Sequence, residues 1–530
     1  MMKRITALMM ALMMALVLVG CGSTVESEAW LLELQYRDLD LINYSKMEYQ
    51  RPDMTEHATV LEESCRIAME ETDSQTVLDA VYAYYDEYYW FQTNYALANI
   101  RYSKDLTDIY WEEEYDFCSE KASELDAGLD RLYHALAKSP IREELEEEFF
   151  GQGFFDAYDG ESIWDETFTA MMEEEARLIS QYYDLSARVM ESEAWDWRPM
   201  GELLAELVLL RQRIAQYAGY DSYTRFAYEF YYYRDYTPEQ VDAYLQQIRT
   251  ELVPMYVDTD QEVWTAGYRP CDEKEAFAFL ETCAETMGGK LKGAFEMLER
   301  YGLYDITYSE KKFNASFETY LSYYYEPFLF MNPQGTQADK LTLVHEFGHF
   351  ANDYACFGSY AGIDVAEVYS QALEYLSLIY GPDGDALREY KMAESLCVFV
   401  EQAAYADFEN RLYAMEPKTV TAQNILNLFR QVGTEYGFDT WGFDSRLFTQ
   451  ITHFYTNPLY VISYVTSNDA AFQIYQMELA QENAGLALYQ GSLDSQAESF
   501  LLFLEEQGLE SPFAEGRVAK IRQTMEANLD

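Results

Sequence analysis

The chain has 530 residues, with 93 Asp and Glu against 37 Lys and Arg, for a formal net charge of -56. Phosphate binding needs a basic surface, so this balance argues against nucleic acid as a partner; an acidic surface is first a solubility property and identifies no substrate. A hydrophobic fraction of 49% and an aromatic fraction of 16%, with 48 tyrosines, argue against disorder and describe a globular chain long enough for several domains.

Lys3 and Arg4 precede an apolar run from Ile5 to Gly20, which is shorter than the ~20 residues of a membrane span. A basic start, an apolar middle and small residues before a cut site make a secretory signal. Here the run ends in Leu18-Val19-Gly20-Cys21, which resembles a bacterial lipobox and is followed by the polar Gly22-Ser23-Thr24. The resemblance implies removal of residues 1–20, lipid on Cys21, and a protein outside the cytoplasm anchored to the cell membrane. The six other cysteines show no CxxC pair and no metal-finger spacing, so dispersed free thiols are expected.

From there the chain reads as helix nearly throughout, a mainly α fold. Residues 21–200 form an acidic, tyrosine-rich helical region, with a break near Trp195–Gly201; residues 201–530 follow as a second region. The run Glu202–Arg211 is rich in good helix formers with apolar spacing. Thr237-Pro238-Glu239-Gln240 predicts a capped helix start, with Thr237 and Gln240 as a capping box and Pro238 at the first helical position. One strand region is expected, Thr319–Met331, ending in a turn at Asn332–Gly335.

Next comes His345-Glu346-Phe347-Gly348-His349. On a helix, histidines four apart stand on one face and can share one Zn²⁺ at ~2.0–2.1 Å, while the glutamate beside the first can deprotonate a water. Thr336 and Asp339 resemble a capping box for this helix, and Gly358 marks its stop. Two of only five histidines in the chain fall at this spacing. A catalytic zinc keeps three protein ligands and an open position. The third ligand is expected on the next helix, where Glu367, Gln371 and Glu374 share a face. One of the two glutamates would bind metal and the other would orient a ligand histidine.

These residues resemble a known family. Pro327–Asn332, Gly335-Thr336, Leu341–His349 and Asp364–Glu374 are similar to the M3 metallopeptidases, the family of thimet oligopeptidase and oligoendopeptidase F. Leu210–Tyr223 and Arg234–Glu239 also look like oligoendopeptidase F relatives, so the resemblance covers about residues 205–470; before that the likeness is only in being helical. It implies two helical halves around a deep channel, with a small β element beside the HExxH helix, and it carries the third zinc ligand to Glu367. One departure stands: only 17 residues separate His349 from Glu367, fewer than the family usually has. Either the connecting loop is trimmed or Glu374 is the ligand.

Ile451–Tyr464 is similar to the family segment whose histidine and tyrosines hydrogen-bond the substrate and the tetrahedral oxyanion, which points to His453, Tyr460 and Tyr464. Asn457-Pro458 is expected to open a helix that sets the two tyrosines four apart on one face. The expected activity is zinc-dependent hydrolysis of short peptides, with one Zn²⁺ per chain on His345, His349 and Glu367, and Glu346 as general base. Phe328–Met331 is expected to pair with the substrate backbone as an edge strand. The rival readings are a carboxypeptidase-type HExxH enzyme and a lipid-anchored peptide-binding protein with a zinc site that does no chemistry.

Overall fold

The computed structural model describes residues 39, 41–190, 196–259, 261–358, 362–382, 384–497 and 499–529. The expected signal and Cys21 lie outside the described residues. The fold is mainly helical with one small sheet.

The first three long helices are α1 (Met54–Glu70), α2 (Ser74–Lys104) and α3 (Ile109–Ala137). Each starts on an aspartate. Asp53, Asp73 and Asp108 accept hydrogen bonds from the first-turn N–H groups that have no partner inside the helix. The three pack on one another around a small core of Leu61, Val77, Val81, Leu132, Leu136 and Phe155. The larger core takes in α4 (Glu166–Met190), through Phe168, Leu178 and Tyr182, and α5 (Arg198–Tyr217). The helix α6 (Pro238–Glu251) opens with the expected capping box between Thr237 and Gln240.

The single strand region of the sequence reading is a hairpin. A short β1 (Tyr304–Asp305) precedes β2 (Ser316–Leu321) and β3 (Glu326–Met331), with a turn at residues 322–325 between the last two. The sheet order is β1-β3-β2: β1 runs parallel to β3, and β2 pairs antiparallel with it from Ser316↔Met331 to Leu321↔Glu326. Phe328–Met331 is therefore not an edge. β2 pairs with β3 along its whole length, β1 pairs with it at Leu329 and Phe330, and all its residues are buried, so it lies inside the sheet and not at an open edge. The edge beside the HExxH segment is β2, which is half-buried.

The centre of the molecule is built from α7 (Ala338–Cys356), α8 (Ile363–Tyr380), α9 (Gly384–Cys397), α10 (Ala403–Tyr413) and α11 (Ile462–Ala480). Helix α8 is buried on all sides between α7 and α11, and the sheet lies against α7. Thr336 does not cap α7. The cap position is Gln337, and the Asp339 carboxylate instead accepts the N–H groups of Gln334, Gly335 and Thr336 at 2.7–3.0 Å, holding the turn from the helix side. Asn457-Pro458 does not open α11. That turn contains Leu459 at φ 65°, and the helix begins at Ile462, so Tyr460 sits ahead of it and not on it. Cys65, Cys118, Cys271, Cys283 and Cys397 are free thiols. Among the described residues no helix is long and apolar enough to cross a membrane.

Candidate metal centre

Helix α7 sets His345 and His349 one turn apart, with ring centroids 5.1 Å from each other and both rings partly open to solvent. The Glu367 carboxylate reaches them from α8: its Oε2 lies 3.5 Å from His345 Nε2 and 3.7 Å from His349 Nε2. Ligand atoms of the three residues all fall within 4.8 Å of one another. That is a set of two imidazole nitrogens and one carboxylate oxygen around a common point, the donor chemistry of an open zinc site.

Gly348 makes this approach feasible. A Cβ there would stand 2.5 Å from Ser370 Cα and 2.7 Å from the Tyr369 carbonyl oxygen, so only glycine lets the two helix backbones come this close. The connection is correspondingly short. Helix α7 stops at Cys356, Phe357 and Gly358 take left-handed φ values of 56° and 71°, and α8 starts at Ile363. The brief spacing to Glu367 is spanned without displacing the carboxylate from the histidines.

Glu374 lies on the other side of His345, with its Oε1 2.9 Å from Nδ1, the nitrogen turned away from Glu367. Its second oxygen accepts from Lys391 Nζ on α9 at 2.7 Å, and Lys391 also reaches Glu394 at 2.6 Å. The charge of Glu374 is thus matched by a buried ammonium. Burial opposes its ionisation, but Lys391 and His345 hold its carboxyl below the usual range. Glu367 has no such partner. It is buried, it accepts from Ser370 Oγ at 3.0 Å and from the Tyr460 hydroxyl at 2.8 Å, and among the described residues it pairs with no lysine or arginine. A buried carboxylate flanked only by imidazoles and hydroxyls calls for a cation.

Burial shapes the titration of the site. It pushes the Glu346 carboxyl up to about 7, against the pull of His345 and a hydrogen bond from Ser316 on β2. Burial takes His349 down to about 4; in His345 the carboxylates of Glu374, Glu367 and Glu346 outweigh the same burial and raise it to about 9. His453 is lowered by burial, and the phenols of Tyr460 and Tyr464 are raised well above their ordinary value by burial first and the Glu367 charge second. Both phenols therefore stay protonated and can act as donors.

The His453 turn stands across from α8. The Tyr464 hydroxyl is 3.3 Å from His453 Nε2, and the rings of Tyr460 and Tyr464 are 5.2 Å apart. Tyr460 donates to Glu367, so its hydroxyl holds the carboxylate; Tyr464 has no such tie to Glu367. Gln371 donates to the Tyr464 carbonyl at 3.2 Å and joins the two helices. The structure thus brings together His345, Glu346, His349, Glu367, Glu374, His453, Tyr460 and Tyr464.

Sequence reasoning missed the groups that hold these in place. Lys391 gives no local signal. Arg211 sits at the end of the apolar run of α5, buried, and donates to the carbonyls of Phe454 and Tyr455 around His453. Arg234 follows a run of aromatics and reaches the Leu459 carbonyl. A lone arginine in an apolar or aromatic run was the available signal for both. Sequence reasoning also missed Glu318 on β2 and Asp353, one turn beyond His349, which share a hydrogen bond near Glu346. Burial lifts Glu318 well above the carboxylate range and Asp353 to about 7.

Comparison with known proteins joins these observations. Residues 44–159 match the Peptidase M3 N-terminal domain. The stretch that was legible only as helical is therefore the one that matches a family model. Oligopeptidase PepF of Bacillus subtilis (strain 168) is 30% identical over 164 residues, 27% of this chain and 24% of that protein, so the match spans about a quarter of the relative's length. A structure designated oligoendopeptidase F superposes with a TM-score of 0.82 at 21% identity, covering 92% of this chain and 99% of that one. PZ peptidase A, solved with an inhibitor, gives a TM-score of 0.81 at 19% identity, covering 92% of this chain and 98% of that one. A chain designated oligoendopeptidase F from Bacillus anthracis str. Ames gives 0.77 at 20%, again over 92% of this chain and 98% of that one. At these identities the likeness establishes the fold.

Proposed function

We propose that the protein is an M3-type zinc endopeptidase that hydrolyses short peptides. The observation that carries this reading is the buried, uncompensated Glu367 carboxylate facing both imidazoles of the HExxH turn. The fold shared with oligoendopeptidase F structures and the M3 N-terminal match support the same reading.

His345, His349 and Glu367 would hold one zinc ion per chain. When bound, zinc supplies Lewis acidity and lowers the pKa of a water to about 7. Glu346 takes the proton from the attacking water and returns it to the leaving nitrogen; its raised pKa suits a group that must do both near neutrality. Glu374 fixes the His345 ring through Nδ1, so that Nε2 is the nitrogen free to bind metal. Tyr464, kept protonated by burial and adjacent to His453, is the donor for the tetrahedral oxyanion. Tyr460 steadies Glu367. The half-buried edge strand β2, and not β3, is the strand available for a peptide backbone. Substrates are short peptides taken into a channel between helical halves, as the family resemblance implies.

Metal analysis with mass-spectrometric cleavage mapping tests this. One zinc per chain is expected, with internal cleavage of end-blocked peptides that stops on chelation and returns with zinc. Cleavage only at free C-termini would favour a carboxypeptidase, and zinc binding without cleavage of any library member a peptide-binding protein. We also propose that Cys21 carries a lipid that holds the enzyme at the outer face of the cell membrane. Fractionation of wild type against Cys21→Ser tests that, the variant being expected in the soluble fraction.

A further inference from the structure

The turn that carries Tyr460, and that leads into the first turn of α11 where Tyr464 stands, is not secured by its own helix. Leu459 has a left-handed φ of 65°, which strains a residue with a branched side chain, and the next helix begins only at Ile462. What holds the turn is a set of buried groups from elsewhere in the chain. Glu409 on α10 accepts the Leu459 N–H at 2.8 Å, and the Tyr232 hydroxyl donates to the Pro458 carbonyl at 2.8 Å. Arg234 does most: its Nη1 donates to the Leu459 carbonyl at 2.9 Å and its Nη2 to Ser463 Oγ at 2.8 Å, bracketing Tyr460 on both sides in sequence.

The third edge of the same guanidinium points the other way. Arg234 Nε lies 3.3 Å from Asp364 Oδ2, in the first turn of α8 and one turn before Glu367. The other Asp364 oxygen accepts from Tyr236 at 2.9 Å and Thr466 at 3.2 Å, so this carboxylate is itself fixed. The guanidinium is sandwiched between the rings of Tyr228 and Tyr232, at 4.5 and 4.4 Å from their centroids, and its side chain has no exposure to solvent. One rigid planar fork therefore spans the helix that bears the proposed carboxylate ligand, the turn that bears Tyr460, and Ser463 beside Tyr464 in the first turn of α11.

Resting on the peptidase reading above, we infer that Arg234 is a positioning residue that sets the phenols of Tyr460 and Tyr464 relative to Glu367. It touches neither metal nor substrate. It acts by fixing α8 against the Leu459 turn, from which Tyr460 meets Glu367 at 2.8 Å, and against Ser463 in the first turn of α11, next to Tyr464, which must meet the developing oxyanion. A lysine would keep a charge opposite Asp364, but an ammonium is a point donor and does not reproduce the three-way planar geometry.

The test uses Arg234→Lys in the full chain. Zinc content should equal that of wild type and KM should stay within about threefold, while kcat falls by about 10²-fold, the loss expected when an oxyanion donor is misplaced. Deuterium uptake should rise in peptides covering residues 457–464 and stay unchanged over 338–356. In a Tyr464→Phe background the same substitution should lower kcat by less than about threefold, because the donor it positions is already gone. Losses that multiply in the double variant, or uptake over 457–464 that does not change, would overturn the assignment. Should Arg234→Lys fail to fold, Ser463→Ala, which removes one acceptor of the fork, is read the same way on a smaller scale. The uptake reading needs no turnover. A chain that cleaves no peptide would defeat the peptidase reading, and the exchange pattern would still decide the role of Arg234.

Discussion

The three-helix region at the N-terminus and the α7–α8–α11 centre treat charged side chains in opposite ways. In α1–α3 the carboxylates of Asp53, Asp73 and Asp108 sit at helix starts in contact with solvent and satisfy N–H groups, Glu114 is buried but paired with Arg51, and a small apolar core does the packing. In the centre, Glu367, Glu374, Lys391, Asp364, Arg234, Glu409 and Arg211 are all buried, and each is hydrogen-bonded to a side chain or a backbone group from another segment. Buried ion pairs contribute little to stability and often cost it. A fold seeking only stability would build its centre like its N-terminal helices. The contrast favours the centre as the place of the proposed chemistry, where strongly shifted titrations and the Glu367 carboxylate facing two imidazoles coincide.

That contrast can be broken experimentally, and the largest effect belongs to Lys391→Met. It leaves Glu374 buried without its cation, a loss of about 3–5 kcal/mol, and frees the His345 ring, weakening zinc affinity by about 10–100-fold. Denaturant unfolding and zinc titration measure the two. Gly348→Ala comes next: its methyl group meets the Ser370 backbone, so overpacking should cost about 1–3 kcal/mol and weaken zinc binding, although no ligand atom is changed. Unaltered zinc affinity in that variant would refute the account of how α7 and α8 approach.

Asp108→Ala sharpens the comparison from the other side. Loss of this cap should cost about 1 kcal/mol in thermal unfolding, with zinc content and cleavage rate unchanged; a drop in zinc would mean the regions are not separate in role. The smallest effect concerns pH. Burial raises both carboxyls of the Glu318–Asp353 pair, which titrate together, so the stability the pair contributes is complete below ~pH 4 and is lost as pH rises through neutrality. Asp353→Asn should therefore melt like wild type at low pH and, at pH 8, a degree or two higher, on the order expected for a chain this size.

The difference between the regions also explains what the sequence revealed. HExxH was legible because its two histidines and its glutamate lie within one helical turn, and the Thr237 capping box because it too is local. The choice of Glu367 over Glu374 as the proposed third ligand needed a family likeness, since both lie on one helix face and only the partners across α7 and α9 separate them. The hairpin was read as one strand because its turn, Ser322-Tyr323-Tyr324-Tyr325, carries neither glycine nor proline. The turn before α11 was misread because a leucine occupies its left-handed position, held there by Arg234 and Glu409 from distant segments. Lys391 was invisible for the same reason: its partners are close only in the folded chain.

The central claim is that Glu346 acts as a base beside a zinc ion it does not bind. The direct measurement is zinc content together with peptide cleavage for wild type and Glu346→Gln. One zinc per chain in both, with kcat in the variant reduced by about 10²–10⁴-fold, is the predicted result. Equal cleavage by the two proteins would contradict the account.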